Sequence, residues 1–379
     1  MSELVSPSSA GRGLCGTIRC NCEISDARDH GIYSMCSTVL KLRNLYKWEH
    51  GIEPWREPEA AQLLDWIDAK EHRWLSLGSE EFLTIPVAGK YVSPFEVDAV
   101  NGALDSTGLH YGAGYGRSMK SVFFLAEVRD RLVVDGCSVV IVATEHAREM
   151  AAPFAMSQNG RIIIRLEPLR YFLWDHIQEL RSSCKSSYLY TLKRYDLLTD
   201  GRLDQHKLRR RLEEIVNLEL DLFIHHEIGE LLEATLDSER VRAVISRFPG
   251  SVIEFVCRAV KDVLADTHPY GALSHICRER TSSSLGLYVS FLDGLRMELF
   301  PEMSEAWKQF YLHTDWPAVE TARDRCRQRL AGIGAEICRI SDDIDHLSDQ
   351  QVIERFNERI LVPLGLEMMP ANVGGEPRP

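Results

Sequence analysis

The sequence contains no run approaching 18 consecutive apolar residues, so no membrane-spanning helix is expected. It has no excess of basic charge either: 44 lysines and arginines stand against 56 aspartates and glutamates, a formal charge of −12. Nucleic acid and anionic membrane surfaces call for clustered positive charge, so neither is an expected partner. The local run KLRRRLEE (207–214) is answered at once by acids and reads as a solvated helix face. The leading MSELVSPSSAGRG lacks the apolar core of a signal peptide, and the expected location is the cytoplasm, where thiols stay reduced. There is no internal repeat and no low-complexity block. The ten cysteines show no zinc spacing. CGTIRCNC (15–22) with Cys36 runs C-x4-C-x-C-x13-C, which fits neither a zinc site nor a ferredoxin. Cys15, Cys20, Cys22 and Cys36 therefore read as reduced structural thiols. Cys22, just ahead of an expected helix cap at Ser25, is the one expected to be most reactive. HYGAGYGRSMKS (110–121) matches neither the phosphate-binding loop nor the dinucleotide fingerprint and reads as a flexible loop over a pocket.

What is present is an ordinary globular composition, 45% hydrophobic and 26% charged over 379 residues, enough for one large domain or two. A helix is expected from Ser25 to His50, stopped by Gly51, and a second from Glu57 to Leu77. FLTIPVAGKYVS (82–93), SVFFLAEV (121–128), DGCSVVIVAT (135–144) and GRIIIRL (160–166) are rich in β-branched and aromatic residues, with 121–128 and 137–143 pairing as a hairpin. Beyond Leu166 nearly everything is helical, in segments 167–183, 204–235, 238–247, 251–266, 282–297, 303–312, 316–340 and 349–361. The fold class is α+β, predominantly α, with a small antiparallel sheet in the N-terminal half and a helical C-terminal bundle. The expected organisation is a flexible lead (1–24), an α+β region (25–166), a helical region (167–367) and a disordered tail (368–379).

The chemistry concentrates in FIHHEIGELLE (223–233). On a helical wheel Leu220, Ile224, Ile228, Leu231 and Leu232 share one side, and Glu219, His226, Glu230 and Glu233 the other. His226 and Glu230, four apart, meet on one face. Leu222 and Phe223 flank that polar stripe, so the helix is expected to be buried, where a charge needs a partner. A metal ion is one such partner. The stretch lacks the second histidine of H-E-x-x-H, and carboxylate-rich helical ligand sets suit iron or manganese. Further ligands are expected from Asp266, at the end of helix 251–266, with Asp262 near the edge of its apolar face, and from His268 and His275 in DTHPYGALSH. Glu49 in YKWEHG is a further ligand, or else the partner of a cation. Arg43 falls on an apolar helix face and needs an acidic partner or an anionic ligand. His146 and Glu149 in ATEHAREMA have a short H-x-x-E spacing that carries little weight.

These readings give three hypotheses. The first is a non-haem iron oxidoreductase acting on a small molecule, holding one or two ions on Glu49, His226, Glu230, Asp266, His268 and His275, with Glu227 and Arg43 in catalytic roles. The second is a zinc hydrolase, in which Glu227 or Glu230 activates water; manganese is a further alternative to iron. The third is a non-catalytic helical binding or scaffold protein. The expected partner is a small-molecule substrate, and a homodimer is compatible with the sequence. NCEISDARDHGIYSMC, LYKWEHG, YGAGYGRSMKS, FIHHEIGE and ADTHPYGALSHI together resemble a family of bacterial proteins without an assigned activity. That resemblance implies a bacterial, cytoplasmic protein and assigns no residue a role.

Overall fold

The computed structural model describes residues 13–178, 185–292 and 294–366. The chain forms two compact units, residues 1–185 with 189–227, and residues 186–188 with 228–379. The expected lead lies outside the described residues up to position 12, as does the expected tail from 368.

The N-terminal unit begins with three helices, α1 (Leu14–Asp29), α2 (Met35–Glu49) and α3 (Ala60–Leu77). The ribbon β1 (Ile85–Val87) and β2 (Lys90–Val92) leads to α4 (Val97–Leu104). A five-stranded sheet follows, made of β3 (Leu109–Tyr115), β4 (Ser121–Val134), β5 (Cys137–Arg148), β6 (Ala155–Gln158) and β7 (Arg161–Arg165). Then come α5 (Leu166–Gln178), α6 (Lys185–Arg194), a short ribbon of β8 (Leu198–Thr199) and β9 (Arg202–Leu203), α7 (Gln205–Leu218) and α8 (Leu220–Leu232). The sheet order is β3-β4-β5-β7-β6, antiparallel throughout except for the parallel pair β5–β7. The expected 121–128/137–143 hairpin is present and longer than its sequence signal. The sheet itself is larger than expected and mixed.

Three local readings are corrected. The lead is not flexible up to residue 24, because α1 starts at Leu14 and is buried on nearly every side. Ile18 and Cys22 pack with Tyr111, Phe123 and Leu125, while Cys20 and Ile24 pack with Leu42, Leu45, Trp74 and Leu77. A helix held between two apolar surfaces shows no single stripe. Ser25 accordingly lies inside α1 and caps nothing; the helix that follows is capped by Ser34, whose side chain accepts from Ser37 N–H. The glycine-rich 110–121 is a loop only in part, since Gly112 and Gly114 lie within β3 and only 116–120 connect it to β4. A Cβ at Gly112 would stand 2.1 Å from the Phe124 ring, which explains a glycine inside this strand.

The C-terminal unit is helical. It contains α9 (Ser238–Arg247), α10 (Val252–Thr267), α11 (Ala272–Glu279), α12 (Ser282–Phe291), α13 (Gly294–Leu299), α14 (Pro301–His313), α15 (Trp316–Asp342), α16 (Asp349–Phe356) and a closing π turn, Asn357–Leu361. Side-chain caps start α9 (Asp237), α10 (Ser251), α15 (Asp315) and α16 (Ser348, a full capping box with Gln351), each satisfying an otherwise orphaned N–H. The long α15 packs on α9, α10, α11 and α14. Among the described residues no helix is long and apolar enough to cross a membrane.

Candidate functional site

The N-terminal unit contains an interior network of ions. Asp26, Lys120, Glu145, Arg148, Glu149 and Arg165 are each 6% exposed or less, three acids against three bases. Lys120 Nζ donates to Asp26 Oδ1 and to Ser25 Oγ, both at 2.9 Å. Both Asp26 oxygens accept from Met150 N–H. Arg165 donates Nε to Glu145 Oε1 and Nη1 to the Pro153 carbonyl, with its guanidinium 4.3 Å from the Phe124 ring centre. Glu149 accepts from the N–H groups of Ala151 and Ala152. Burial alone costs several kcal/mol per ion, so such charges persist only when paired. Burial works to lower the Lys120 pKa, but the charges of Asp26 and Glu149 outweigh it and the pKa is raised, so Lys120 stays cationic. Burial raises the Glu149 pKa against the pull of Lys120.

Strand irregularity places two of these ions on one face. Phe124, Leu125 and Ala126 on β4 pair with Arg148, Ala147 and Glu145 on β5, which leaves His146 as an extra, bulged residue. Phe124 and Ala126 share a face, so Glu145 and Arg148 do too, although they are three positions apart. Without the bulge they would point to opposite sides.

Next to this network lies a cavity of about 570 Å³. Its lining comes from five elements: Arg19, Glu23 and Asp26 on α1, Leu45, Trp48 and Glu49 on α2, Lys70 on α3, Thr144, Glu145 and Arg148 on β5, and Glu167 on α5. The volume is in the range of small-molecule sites. Arg148 sits beside two rings, 5.0 Å from that of Trp48 and 5.5 Å from that of Tyr171. Its Nη2 donates to the Asn44 carbonyl at 3.1 Å, whereas Nε and Nη1 are buried without a hydrogen-bond partner. Glu145 Oε2 is likewise unpartnered and faces Nη1 at 3.6 Å. Glu167 accepts from Trp48 Nε1 (3.2 Å) and from Glu145 N–H (2.9 Å). Burial, ahead of the neighbouring Glu145 charge, raises its pKa above the usual carboxyl range, although the two N–H donors and Arg148 pull the other way. A carboxyl with raised proton affinity in a polar cavity is suited to general acid–base work.

The residues expected to form a metal centre are dispersed. Glu49 lines this cavity, but its carboxylate accepts from Lys70 Nζ (2.7 Å) and Trp66 Nε1 (3.0 Å), the cation-partner alternative. Arg43 is a structural ion: it donates to Asp175 at 2.8 Å and lies 3.7 Å from Glu57, and it is not among the cavity-lining residues. His146 faces Glu127 at 3.1 Å. On α8, Glu227 is buried, while His226 and Glu230 are half-buried one turn apart, as the wheel predicted. Within the C-terminal unit Glu230 pairs with Lys261, and its carboxylate comes within 4.8 Å of that of Asp262, not Asp266. Asp266 is buried beside the Tyr288 hydroxyl. His268 caps the C-terminal end of α10 and accepts from Tyr270 N–H at 3.2 Å. His275 lies 3.2 Å from Arg278 Nη2. These last three do not join Glu230 in a group able to share an ion among the described residues. Cys22 is not the reactive thiol expected, because it lies in mid-helix and burial, then the charges of Glu149 and Asp26, push its pKa well up.

The sequence reading passed over Arg19, Glu23, Asp26, Lys70, Arg148 and Glu167. One signal was available: Arg19, Glu23 and Asp26 follow i, i+4, i+7 spacing, one face of a helix. That helix had been started too late, at Ser25, for the spacing to register.

No curated protein and no solved structure matches the chain. A model of the N-terminal domain of a family of unknown function (DUF6866) matches residues 13–165, and a model of that family's C-terminal domain matches residues 170–359, so the chain belongs to this family.

Proposed function

We propose that the chain is an enzyme acting on a small polar molecule in the N-terminal cavity, with Glu167 as the group that takes and gives a proton and Arg148 as the group that holds the substrate. The observation that carries this reading is the pairing of a carboxyl of raised proton affinity with a buried guanidinium whose Nε and Nη1 have no hydrogen-bond partner, both lining one cavity. A hydrogen-bonding group left unsatisfied in a folded interior costs about 1–3 kcal/mol, and a ligand that satisfies it recovers that cost. The test is substrate discovery: incubation with a complex metabolite extract, followed by mass spectrometry of what is consumed. Consumption by the wild-type chain, lost at least 100-fold in Glu167→Gln with the melting temperature kept, is the expected result. Equal turnover by Glu167→Gln removes Glu167 from the chemistry. Absence of any consumption leaves a binding protein.

A second reading, metal-dependent oxidation or hydrolysis on iron, zinc or manganese, has one observation in its favour. The carboxylates of Glu230 and Asp262 approach within 4.8 Å, with His226 one turn before Glu230 on α8. Lys261 competes for the same Glu230 oxygen. Elemental analysis decides it: one equivalent of metal lost in Glu230→Ala supports the reading, and metal-free protein with the activity above retires it.

A further inference from the structure

The lining of the cavity contains five acids and three bases, which at first suggests a cationic ligand. Tracing each charge to its partner reverses that conclusion. Glu23 is held by Arg73 (Nε to Oε2, 2.9 Å) and lies 3.6 Å from Lys70. Asp26 is held by Lys120, Glu49 by Lys70, and Glu145 by Arg165. Glu167 has raised proton affinity, which moves it toward the neutral form. Four of the five acids are therefore already paired with a base. Among the bases, Lys70 serves two carboxylates. Arg19 and Arg148 are different. Arg19 gives its Nε to the His146 carbonyl at 2.7 Å and has no ion pair with a carboxylate among the described residues. Arg148 gives Nη2 to a carbonyl and pairs at 3.6 Å only with Glu145, a carboxylate already held by Arg165, and its Nε has no hydrogen-bond partner. Its residue is 6% exposed, so water does little to compensate. Guanidinium groups do not lose their protons in proteins.

We infer that the cavity takes a small oxyanion-bearing molecule, its anionic group bound by Arg148 and Arg19. This rests on the cavity being the ligand site and names the class of ligand. A carboxylate or phosphoryl oxygen is the acceptor that Arg148 Nε lacks and that its Nη1 meets only at 3.6 Å, and charge-assisted bonds to such groups are about twice as strong as neutral ones. The aromatic rings of Trp48 and Tyr171, 5.0 and 5.5 Å from the guanidinium, limit its movement before a ligand arrives. Glu167, which lines the same cavity, is then near the bound molecule as a carboxyl of raised proton affinity.

The experiment titrates the full chain with succinate, inorganic phosphate, succinamide and putrescine at constant ionic strength, reading melting temperature and binding heat. The expected result is a rise of several degrees with succinate or phosphate at 10 mM, the two arms separating a carboxylate site from a phosphoryl site, and no rise with succinamide or putrescine. Arg148→Gln should abolish the shift. Arg19→Gln, at an exposed position that leaves the fold intact, should weaken binding about tenfold, and it carries the test if Arg148→Gln does not fold. A shift with putrescine or succinamide and none with either anion overturns the anionic class while leaving the cavity as a ligand site. An anion shift unchanged in Arg19→Gln and in folded Arg148→Gln overturns the assignment to this cavity. No shift with any of the four probes takes down the ligand site and the inference together.

Discussion

At the scale of the residue, the interior of the N-terminal unit is governed by what burial does to charge. Lys120 is 1% exposed and bonded to Asp26 and Ser25. Lys120→Met leaves Asp26 buried without the cation it pairs with, and removing one partner of such a pair costs about 3–5 kcal/mol. Asp26→Asn together with Lys120→Met should cost less than Lys120→Met alone, because the stranded charge is gone. A double-mutant cycle by urea denaturation measures this, and strictly additive losses would show that the two ions do not interact. His110 shows the same physics in an uncharged group. Burial, then the charges of Arg131 and Arg161, lower its pKa from 6.5 to about 4. The unfolded chain takes up this proton near pH 6.5 and the folded chain only near pH 4. Stability from this residue is therefore complete above pH 6.5 and falls as pH drops through that window. The carboxyls with raised pKa, Asp26, Glu149 and Glu167, contribute the opposite slope, but they are common to both proteins in a comparison with His110→Leu. The variant should lose less stability than wild type between pH 7 and pH 4.5; parallel curves would mean that folding does not lower the His110 pKa.

At the scale of the element, close backbone approach decides where glycine is required. A Cβ at Gly229 on α8 would lie 2.1 Å from the Ala265 carbonyl oxygen of α10, and one at Gly271 would lie 2.0 Å from the same atom. At Gly112 the obstacle, also at 2.1 Å, is the ring of Phe124. A ring has some freedom to turn and a helix backbone has little. Gly112→Ala should cost about 1–3 kcal/mol and Gly229→Ala more than that, despite the higher helix propensity of alanine. Calorimetric melting of both variants checks the order, and Gly229→Ala melting as wild type would mean that α8 and α10 do not meet this closely. The same elements show what the sequence makes legible. Segments 238–247, 251–266 and 316–340 were readable because each begins at a capping side chain, and the first two also end just before a proline. The predominance of helix and the long β4–β5 hairpin followed from the same local signals. The first fifty residues were misread because α1 is buried on most sides, while the first half of α2 exposes apolar Met35 (84%) and Val39 (47%) and only its second half, with Leu42 and Tyr46, is buried. The cavity was illegible for a different reason. Its residues come from five elements, and the pairing of Glu145 with Arg148 depends on the bulge at His146. A one-residue bulge reverses strand parity without leaving a mark in composition or periodicity.

At the scale of the whole molecule, the sequence, the family models and the packing divide the chain differently. Sequence character changes at Leu166, and the two family models meet between 165 and 170. The contacts of the chain instead keep α5 and α7 with the sheet. Specific interactions show why. Tyr171 donates its hydroxyl to the Ile52 carbonyl (2.6 Å), Arg170 pairs with Glu53 (3.0 Å) and with Glu213 on α7, and Asp175 accepts from Arg43 and Asn44 on α2. Glu167 bonds both Trp48 and the backbone of β5. Cutting the chain at the change in sequence character would remove Glu167, leave Arg43 without Asp175, and expose the apolar surface of the sheet unit that α5 covers with Leu169, Leu173 and Trp174. Full burial of such side chains contributes about 1.5–3 kcal/mol each, which is comparable with the entire stability of a domain when several are lost together. A fragment of residues 1–232, ending with α8, is therefore expected to unfold cooperatively in urea and to resist limited proteolysis. A fragment of residues 1–166 is expected to be cut rapidly and to lack a cooperative transition. If 1–166 proved as stable as 1–232, the helices after the sheet would be an accessory to a self-sufficient domain, and the cavity would need redefinition without Glu167.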